Sequence, residues 1–316
     1  MRALIVGGGG AIGSAIARHA RELGCDTHVG MRTTAGLDRL ACRPTITRHT
    51  LDARDPRSVL SVLERVKPDW IVMAALPSEK RAAGYREQRE LLLGMSEGVL
   101  GTMEALRQAT YAGPLIWIGS AMSYGAGGKP RDPRDALHPQ TFRGAVKAAE
   151  SILAAQLASQ LPLSFTELRV FTGYGPFKQR DRLVATLLRA ALSDQRVRLS
   201  PQPATRDWIH YRDIGGACAL AASITTVGQR VFNVCSGRLH STHQVAALME
   251  KIVGKRLIAD AAYEGGDHYG EVEPGLLPSV DWSPSLNLAQ GLEQCWQWAN
   301  SREGRNYLLA QETLHT

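Results

Sequence analysis

Three side chains in the middle of the chain, Ser120, Arg143 and Lys147, are of types that can bind and polarise an oxygen-bearing substrate. Arg143 and Lys147 are spaced by four positions, so on a helix they lie one turn apart on the same face. Two cations placed in this way repel each other unless an anion lies between or above them. One hypothesis is therefore that Arg143 holds a substrate carboxylate, phosphate or developing oxyanion. The alternative is that Arg143 points to solvent and binds nothing.

The first residues of the chain supply elements that position a dinucleotide. Arg2–Val6 is a short apolar run typical of a buried parallel strand, and Ser14–Leu23 has a helical pattern. Between them, Gly7, Gly10 and Gly13 allow a tight turn whose backbone approaches a pyrophosphate at the helix N-terminus. This context predicts a dinucleotide-binding loop, with a plain glycine turn as the alternative.

The end of the second predicted strand bears on the choice of dinucleotide. An acidic residue at this place usually binds the ribose hydroxyls of NAD. Here the strand, Thr27–Met31, is followed by Arg32. Because Arg32 can pair with a 2′-phosphate, the sequence predicts NADP, with NAD as the alternative. The alternative for Arg32 itself is that it is a solvated loop residue that binds no ligand.

The order of apolar and helical segments indicates the fold class. Asp69–Leu76 is a further strand, and it ends in small residues that allow the chain to pass close under a bound dinucleotide. The alternation of strands and helices predicts an α/β fold, a Rossmann doubly wound parallel sheet with its ligand at the carboxyl ends of the strands.

The composition favours a globular enzyme over a membrane or nucleic-acid-binding protein. The 316 residues are 44% hydrophobic, enough for one large α/β core or a core with a smaller lobe. No apolar run reaches the roughly 18 residues of a membrane span, and no basic block is interleaved with aromatics. The net charge of +7 reflects a solvated surface or an attraction for anionic ligands. Scattered cysteines off metal spacing and the lack of a signal peptide predict a reduced, cytoplasmic protein without a bound metal.

Further segments follow the glycine motif in a recognisable order. They are Asp52-Ala53, Ala74-Ala75, Gly119–Gly125, Arg169–Pro176, Thr205–Asp213, Phe232–Val234 and Trp282–Pro284. With these segments the chain resembles the extended short-chain dehydrogenase/reductase family, of the NAD(P)-dependent epimerase/dehydratase type. The resemblance covers nearly the whole chain and implies a Rossmann fold with a smaller substrate lobe.

The resemblance also implies individual site residues. The implied cofactor contacts are Gly7, Gly10, Ala11, Ile12, Gly13, Arg32, Asp52, Ala53, Ala74, Ala75, Leu76, Lys147 and Phe171. The substrate contacts, with Arg143 added from its spacing, are Ser120, Arg143, Thr172 and Arg206. In the family, Ser120 would hydrogen-bond the reacting oxygen, Lys147 would bind the nicotinamide ribose, and Arg206 would contact a substrate diphosphate.

The same resemblance implies two interleaved parts and a dimer. Residues 1–176, with returning segments at about 207–245, would form the dinucleotide-binding domain. Residues at about 177–206 and 246–316 would form the substrate lobe. The helices around Leu91–Arg107 and Gly144–Gln160 resemble those that pair family members through a four-helix bundle, so we expect a homodimer.

The chain departs from the family pattern at the site of proton transfer. Arg143 occupies the position of the catalytic tyrosine, and Gly98 replaces an asparagine that supports the lysine. A tyrosine hydroxyl can be tuned to exchange a proton, whereas a guanidinium stays charged at about pH 7. Tyr124 or Tyr174 could replace the acid, although both positions commonly hold packing residues. Thr172 stands where many sugar-nucleotide enzymes have asparagine.

These observations give one leading function and two alternatives. The leading hypothesis is an NAD(P)-dependent oxidoreductase, epimerase or dehydratase acting on a small polar substrate, in its narrower form an anionic or nucleotide-linked one. Its candidate catalytic residues are Ser120, Arg143, Lys147 and Tyr124. The alternatives are a non-redox lyase or cyclase on the same fold, and a catalytically inactive dinucleotide-binding regulator.

Overall fold

A computed structural model describes residues 1–33, 36–40, 45–75, 84–125, 129–179, 181–193, 195–259, 275 and 282–310. Seven parallel strands form its main sheet in the order β3-β2-β1-β4-β5-β6-β9. These strands are β1 (Arg2–Val6), β2 (Asp26–Met31), β3 (Thr47–Thr50), β4 (Trp70–Met73), β5 (Pro114–Ser120), β6 (Ser164–Val170) and β9 (Gly228–Val234). The predicted α/β class and doubly wound parallel sheet are confirmed.

Helices cover both faces of the main sheet, as the predicted fold requires. The α-helices of the described residues are α1 (Ala11–Glu22), α2 (Pro56–Val66), α3 (Tyr85–Gln108), α4 (Phe142–Ala158), α5 (Leu183–Leu192), α6 (Tyr211–Ser223), α7 (Thr242–Val253), α8 (Leu288–Asn300) and α9 (Arg302–Leu309). α1 and α6 pack together on one face, and α2, α3 and α4 pack on the other. None of the helices within the described ranges is long and apolar enough to cross a membrane.

A second, three-stranded sheet was not predicted from the sequence. It has the order β10-β8-β7, with β7 (Thr172–Tyr174), β8 (Thr205–His210) and β10 (Leu239–Ser241). β6 ends at Val170, and the chain continues into β7, which pairs with β8 and ends at Tyr174. This small sheet carries Thr172 at the start of β7 and Arg206 in β8.

Local sequence signals explain where the site-bearing elements begin. Thr141 caps α4 by accepting a hydrogen bond from the Gly144 N–H, which fixes the rotation of the following helix. β1 and β4 are short runs of apolar, mostly buried residues and pair in register, with Val6 opposite Met73. The strand order reverses between β1 and β4, and ligands of open α/β sheets bind at the carboxyl ends beside such a reversal.

Three large apolar clusters surround the sheets. Two lie on the opposite faces of the main sheet, and the third joins α5, α7, α8 and α9 around Tyr174 and Trp208. The third cluster draws on residues from both stretches assigned to the substrate lobe. The proposed domain boundaries themselves stay a prediction.

Candidate active site

Two adjoining cavities form one cleft along the carboxyl ends of β1, β4, β5 and β6. The larger has a volume of about 550 Å³ and the smaller about 420 Å³. Gly10, Ala11, Ala74, Ala75 and Gln179 line both, so the two are continuous past the glycine loop. The cleft therefore has the place and the elongated form that a dinucleotide site needs.

The turn between β1 and α1 presents backbone N–H groups to this cleft. Gly7 has a φ of +85°, and a Cβ there would lie 2.6 Å from the backbone nitrogen of Ala75, so the turn requires glycine. A side chain at Gly13 would collide with the Gly7 carbonyl. α1 starts after Gly10 with no side-chain cap and no acidic residue in its first turn. Its first N–H groups are thus available to an anion.

The smaller cavity contains the residues assigned to the adenosine end of a cofactor. Arg32, Asp52 and Ala53 line it, together with Arg54. Arg54 donates to both carboxylate oxygens of Asp52, from Nη2 at 2.6 Å and Nε at 3.0 Å, and this lowers the pKa of Asp52. Asp52 is therefore a fixed carboxylate. The described residues directly after β2, Arg32 and Thr33, include no acid.

The larger cavity brings Ser120, Arg143 and Lys147 together, as the sequence predicts. Ser120 is the last residue of β5, and its hydroxyl accepts a hydrogen bond from the Met122 N–H at 3.2 Å. Arg143 and Lys147 project from one face of α4 into the same cavity. The lining of the cavity thus includes a serine hydroxyl and two cations.

Lys147 is held by a carboxylate that the sequence reasoning missed. Its Nζ lies 2.5 Å from Oε2 of Glu150 and donates to the carbonyl of Ile118 at 2.8 Å. Glu150 also accepts from Nε1 of Trp117 at 3.2 Å. Both charged side chains are less than 10% exposed. Burial raises the pKa of Glu150, and the Lys147 ammonium opposes that rise.

Glu150 also forms part of the wall of the smaller cavity, next to Gly98. A Cβ at Gly98 would meet no atom within 4 Å, so the loss of a side chain there leaves open space inside the cleft. The available signal for Glu150 was its spacing of three positions after Lys147, which on a helix allows an ion pair.

Neither tyrosine considered as a replacement acid presents its hydroxyl to the cavity. Tyr124 is fully buried, and its hydroxyl donates to Oδ1 of Asn233 at 2.7 Å, away from the cleft lining. Burial raises the pKa of Tyr124 to about 12. The Tyr174 hydroxyl faces the carbonyl of Leu288 in the third apolar cluster. These contacts favour a packing role for Tyr124 over the catalytic role predicted from the sequence.

The remaining predicted residues lie around the larger cavity. Phe171, Thr172 and Arg206 line it, whereas Leu76 lies outside the described residues. Asp207, next to Arg206, accepts hydrogen bonds from the N–H groups of Ser236, Gly237 and Gly275 and from the Ser236 hydroxyl, at 2.7 to 3.2 Å. Its carboxylate is therefore used to tie loops together.

A lysine on the loop after β7 is the second site residue that sequence reasoning missed. Lys178 lines the larger cavity, and its Nζ lies 5.4 Å from the ring centroid of Tyr211. Burial and the neighbouring cation Arg182 lower the pKa of Lys178 to about 8; Arg143 contributes in the same direction, while Asp181 opposes it. The sequence carried only a weak signal, a lysine two positions after Pro176.

The loop that carries Lys178 is fixed by an unusual backbone conformation and by distant side chains. The preceding Phe177 has a φ of +62°, although it is not glycine. Its carbonyl accepts from Nε of Arg39 at 3.3 Å and from the Tyr307 hydroxyl at 3.1 Å. Arg39 also donates to the carbonyl of Gly9 at 2.9 Å and to the Tyr307 hydroxyl at 3.1 Å. Arg39 therefore connects the glycine loop, the Lys178 loop and α9.

Comparison with protein families places this cleft in a known context. A model described as "NAD dependent epimerase/dehydratase family" matches residues 3–235. UDP-glucuronate 4-epimerase 5 of Arabidopsis thaliana is 22% identical over 223 residues, 64% of this chain and 51% of the relative. UDP-glucose 4-epimerase of Bos taurus is 33% identical over 98 residues, 29% of this chain and 28% of the relative. The matches thus span about half or less of these curated relatives.

Solved structures match over nearly the whole length of the chain. UDP-glucose 4-epimerase of Thermus thermophilus, in complex with NAD, superposes with a TM-score of 0.79 at 22% identity, covering 94% of this chain and 98% of that one. dTDP-glucose 4,6-dehydratase of Bacillus anthracis str. Ames, in complex with NAD, superposes with a TM-score of 0.80 at 19% identity, covering 96% and 97%. At these identities the likeness concerns the fold.

Proposed function

The chain belongs to the NAD dependent epimerase/dehydratase family, and on that premise we propose that it is a nicotinamide-dependent enzyme acting on an anionic, nucleotide-linked substrate without the usual tyrosine. The observation that carries the proposal is the continuous cleft. It has an uncapped helix N-terminus at its centre and Ser120, Arg143 and Lys147 in its larger cavity.

The residues of the cleft fit a nicotinamide dinucleotide. The free N–H groups at the start of α1 would bind the pyrophosphate, and Lys147, fixed by Glu150 and Ile118, would bind the nicotinamide ribose. A bound nicotinamide would supply or accept a hydride. Ser120 would hold the reacting oxygen by a hydrogen bond from its hydroxyl.

The charges of the larger cavity support an anionic substrate. Five cationic side chains line it: Arg143, Lys147, Lys178, Arg182 and Arg206. The one carboxylate among its described lining residues, Asp207, is already bound by loop N–H groups and a hydroxyl. A substrate phosphate or carboxylate would therefore meet charge-assisted donors, although Lys147 and Arg182 already have carboxylate neighbours, Glu150 and Asp181.

For the cofactor we propose NADP, with NAD as the competing ligand. Arg32 lines the smaller cavity at the end of β2, where an NAD-specific site usually carries an acid. The similar solved structures are complexes with NAD, so the two dinucleotides need a direct comparison on this chain.

Fluorescence titration with NADPH and NADH tests the proposed function and the cofactor choice together. Losing a charge-assisted contact to the 2′-phosphate costs about 1.5–3 kcal/mol, so Arg32→Ala should weaken NADPH binding by roughly 10- to 100-fold. NADH affinity should stay unchanged. Arg57→Ala, an exposed arginine outside both cavities, is the control. Failure of both dinucleotides to bind refutes the proposed function; tighter binding of NADH refutes the NADP assignment alone.

A second candidate is a non-redox lyase or cyclase that uses the same cleft. It is favoured by Arg143, a permanent cation where the family has a proton donor. The discriminating measurement is the redox state of bound dinucleotide during turnover of a sugar nucleotide such as UDP-glucose. A transient reduced nicotinamide supports the redox enzyme, and product formation without one supports the lyase or cyclase.

We further propose a homodimer formed through α3 and α4. These two helices pack side by side, and their outer surface carries exposed apolar side chains. The members of this outer face are Leu92, Leu93, Leu100, Ile152 and Leu153. An exposed apolar patch on neighbouring helices is typical of an association surface.

A further inference from the structure

The cleft lacks the tyrosine that moves a proton in relatives of this fold, so a group that changes its protonation state near neutral pH has to be found elsewhere. The larger cavity limits the choice among the described lining residues. Its arginines, Arg143, Arg182 and Arg206, keep their protons at any physiological pH. No histidine lines it within the described part of the chain.

The other ionisable lining groups are committed to other contacts. Lys147 is fixed as a cation between Glu150 and the Ile118 carbonyl. Asp207 accepts from loop donors on both oxygens. Tyr174 and Tyr211 also line the cavity, and burial raises the pKa of both. The Tyr174 hydroxyl faces the Leu288 carbonyl, and the buried Tyr211 hydroxyl lies near Arg39 and Tyr307.

Lys178 remains, and its surroundings suit a reversible proton carrier. Within the described residues no carboxylate forms an ion pair with its Nζ; the group packs against the Tyr211 ring. The cationic neighbours of Lys178 are Arg182, four positions further along the chain, and Arg143 from α4. Its anionic neighbour is Asp181, whose side chain is largely exposed. Two nearby cations and partial burial favour the neutral amine.

The backbone holds Lys178 in this place. Phe177 has the left-handed φ of +62°, and the Tyr307 hydroxyl lies 3.1 Å from its carbonyl and 3.3 Å from that of Lys178. The Phe177 carbonyl also accepts a hydrogen bond from Nε of Arg39. A strained conformation that several distant side chains maintain is characteristic of a functional loop.

We propose that Lys178 is the catalytic group that exchanges the proton of the reacting hydroxyl in place of the missing tyrosine. This inference rests on the proposed function. In the oxidation direction the substrate O–H bond breaks and its proton forms an N–H bond on the neutral Nζ. A bound nicotinamide would accept, as hydride, the hydrogen on the carbon that bears this oxygen, and the C–O bond would become a carbonyl. In reduction the ammonium returns the proton to the oxygen. Arg143 then serves as an anion-binding and charge-tuning neighbour.

The first test measures the protonation of Lys178 without any turnover. Reductive methylation with ¹³C-formaldehyde labels the seven lysines, and Lys178→Met assigns its NMR signal. We expect this signal to titrate near pH 8, the lowered pKa of Lys178, below the ordinary lysine value of about 10.4. Arg182→Gln should move the midpoint upward. Titration of Lys178 together with the bulk of the lysine signals overturns the proposal.

The second test separates proton transfer from charge. Lys178→Arg keeps the cation but cannot release its proton near neutral pH, so dinucleotide affinity should persist. Loss of general acid–base catalysis should reduce turnover of UDP-glucose by about 10²- to 10⁴-fold. Lys129→Arg, on an exposed lysine paired with Asp135 outside both cavities, is the matched control. Unchanged turnover in Lys178→Arg overturns the proposal.

The two proposals fail in different ways. If neither NADPH nor NADH binds while Lys178 titrates near pH 8, the nicotinamide function is refuted and the assignment of Lys178 as a cleft amine that titrates near neutral pH stands. If a dinucleotide binds and Lys178 titrates as an ordinary lysine, the nicotinamide function stands and the role of Lys178 is refuted. Where UDP-glucose is not turned over, the NMR titration decides.

Discussion

The ion pair between Lys147 and Glu150 predicts a strongly non-additive effect on folding stability. The two side chains are 9% and 4% exposed and their charged atoms lie 2.5 Å apart. Removing one partner of a buried pair leaves the other charge without compensation and costs about 3–5 kcal/mol. We expect Lys147→Met and Glu150→Gln each to lose free energy of unfolding in this range. The remaining partner keeps one hydrogen bond in each variant, Glu150 from the Trp117 N–H and Lys147 to the Ile118 carbonyl, and this reduces the loss of stability.

The double variant Lys147→Met/Glu150→Gln should be more stable than either single variant. The double variant removes both charges. Its free energy of unfolding should lie within about 2 kcal/mol of the parent value, because replacing a buried ion pair as a whole costs little stability. The coupling energy between the two positions should therefore exceed about 3 kcal/mol. Urea unfolding without dinucleotide is the assay. The Arg86–Glu90 pair, exposed and spaced by a helical turn, is the control and should couple by at most about 0.5 kcal/mol.

The pH dependence of Lys147→Met adds an independent check. Without its lysine, the buried Glu150 keeps a raised pKa with less opposition. A carboxyl whose pKa is raised on folding contributes stability below its unfolded pKa and loses it as pH rises through the folded value. The deficit of Lys147→Met should therefore grow above about pH 4.3, by at most about 1.4 kcal/mol per pH unit. Additive single losses, or a deficit independent of pH, would refute the ion-pair reasoning.

Three further predictions follow from other parts of the fold. Burial lowers the pKa of His210 from 6.5 to about 4, so the stability it contributes is complete above pH 6.5 and is lost as pH falls toward 4, by about 3 kcal/mol in total. His210→Asn, which can keep the cap on the Arg212 N–H, should flatten the unfolding free energy across that window; an unchanged slope contradicts the assignment. In α3, Gly98→Ala should stabilise by about 0.5–1 kcal/mol because the added Cβ meets open space, whereas Gly101→Ala places its Cβ 2.5 Å from the Ala53 carbonyl oxygen and should destabilise by more than about 1 kcal/mol; thermal unfolding of the two variants gives the comparison, and equal effects contradict the packing argument. Leu100→Lys on the outer face of α3 and α4 should convert a dimer to monomer in light scattering without altering the unfolding midpoint of the monomer, and a parent protein that is already monomeric refutes the proposed interface.

Features set by neighbouring residues were predictable from the sequence. The glycine turn depends on Gly7 and its near neighbours, and the structure has β1, the turn and α1 in that order. Boundaries shifted slightly, since α1 begins at Ala11 rather than Ser14. Ser120 and Lys147 line the same cavity. This was predictable because the elements that carry them, β5 and α4, are long and have clear sequence patterns.

Features set by distant contacts were not predictable. Tyr124 is withdrawn from the cleft by Asn233, a residue of β9 that lies 109 positions further along the chain. Lys178 is held in the cleft by contacts of its loop with Arg39 and Tyr307. The spacing of Glu150 from Lys147 is visible in the sequence and allows an ion pair. The sequence does not show that both side chains are buried, which is what makes this pair part of the site. Local patterns carry no information on such long-range partners.

The Arg39 bridge has a consequence for the order in which the protein acquires its structure during synthesis. Arg39 and Tyr307 are 268 positions apart, so the glycine loop emerges from the ribosome long before α9 exists. At about 5–20 residues per second, this interval lasts on the order of tens of seconds. Before α9 is made, the Phe177 carbonyl can accept from Arg39 but lacks its hydrogen bond from the Tyr307 hydroxyl. The loop that carries Lys178 therefore acquires its full set of contacts only when α9 has been synthesised.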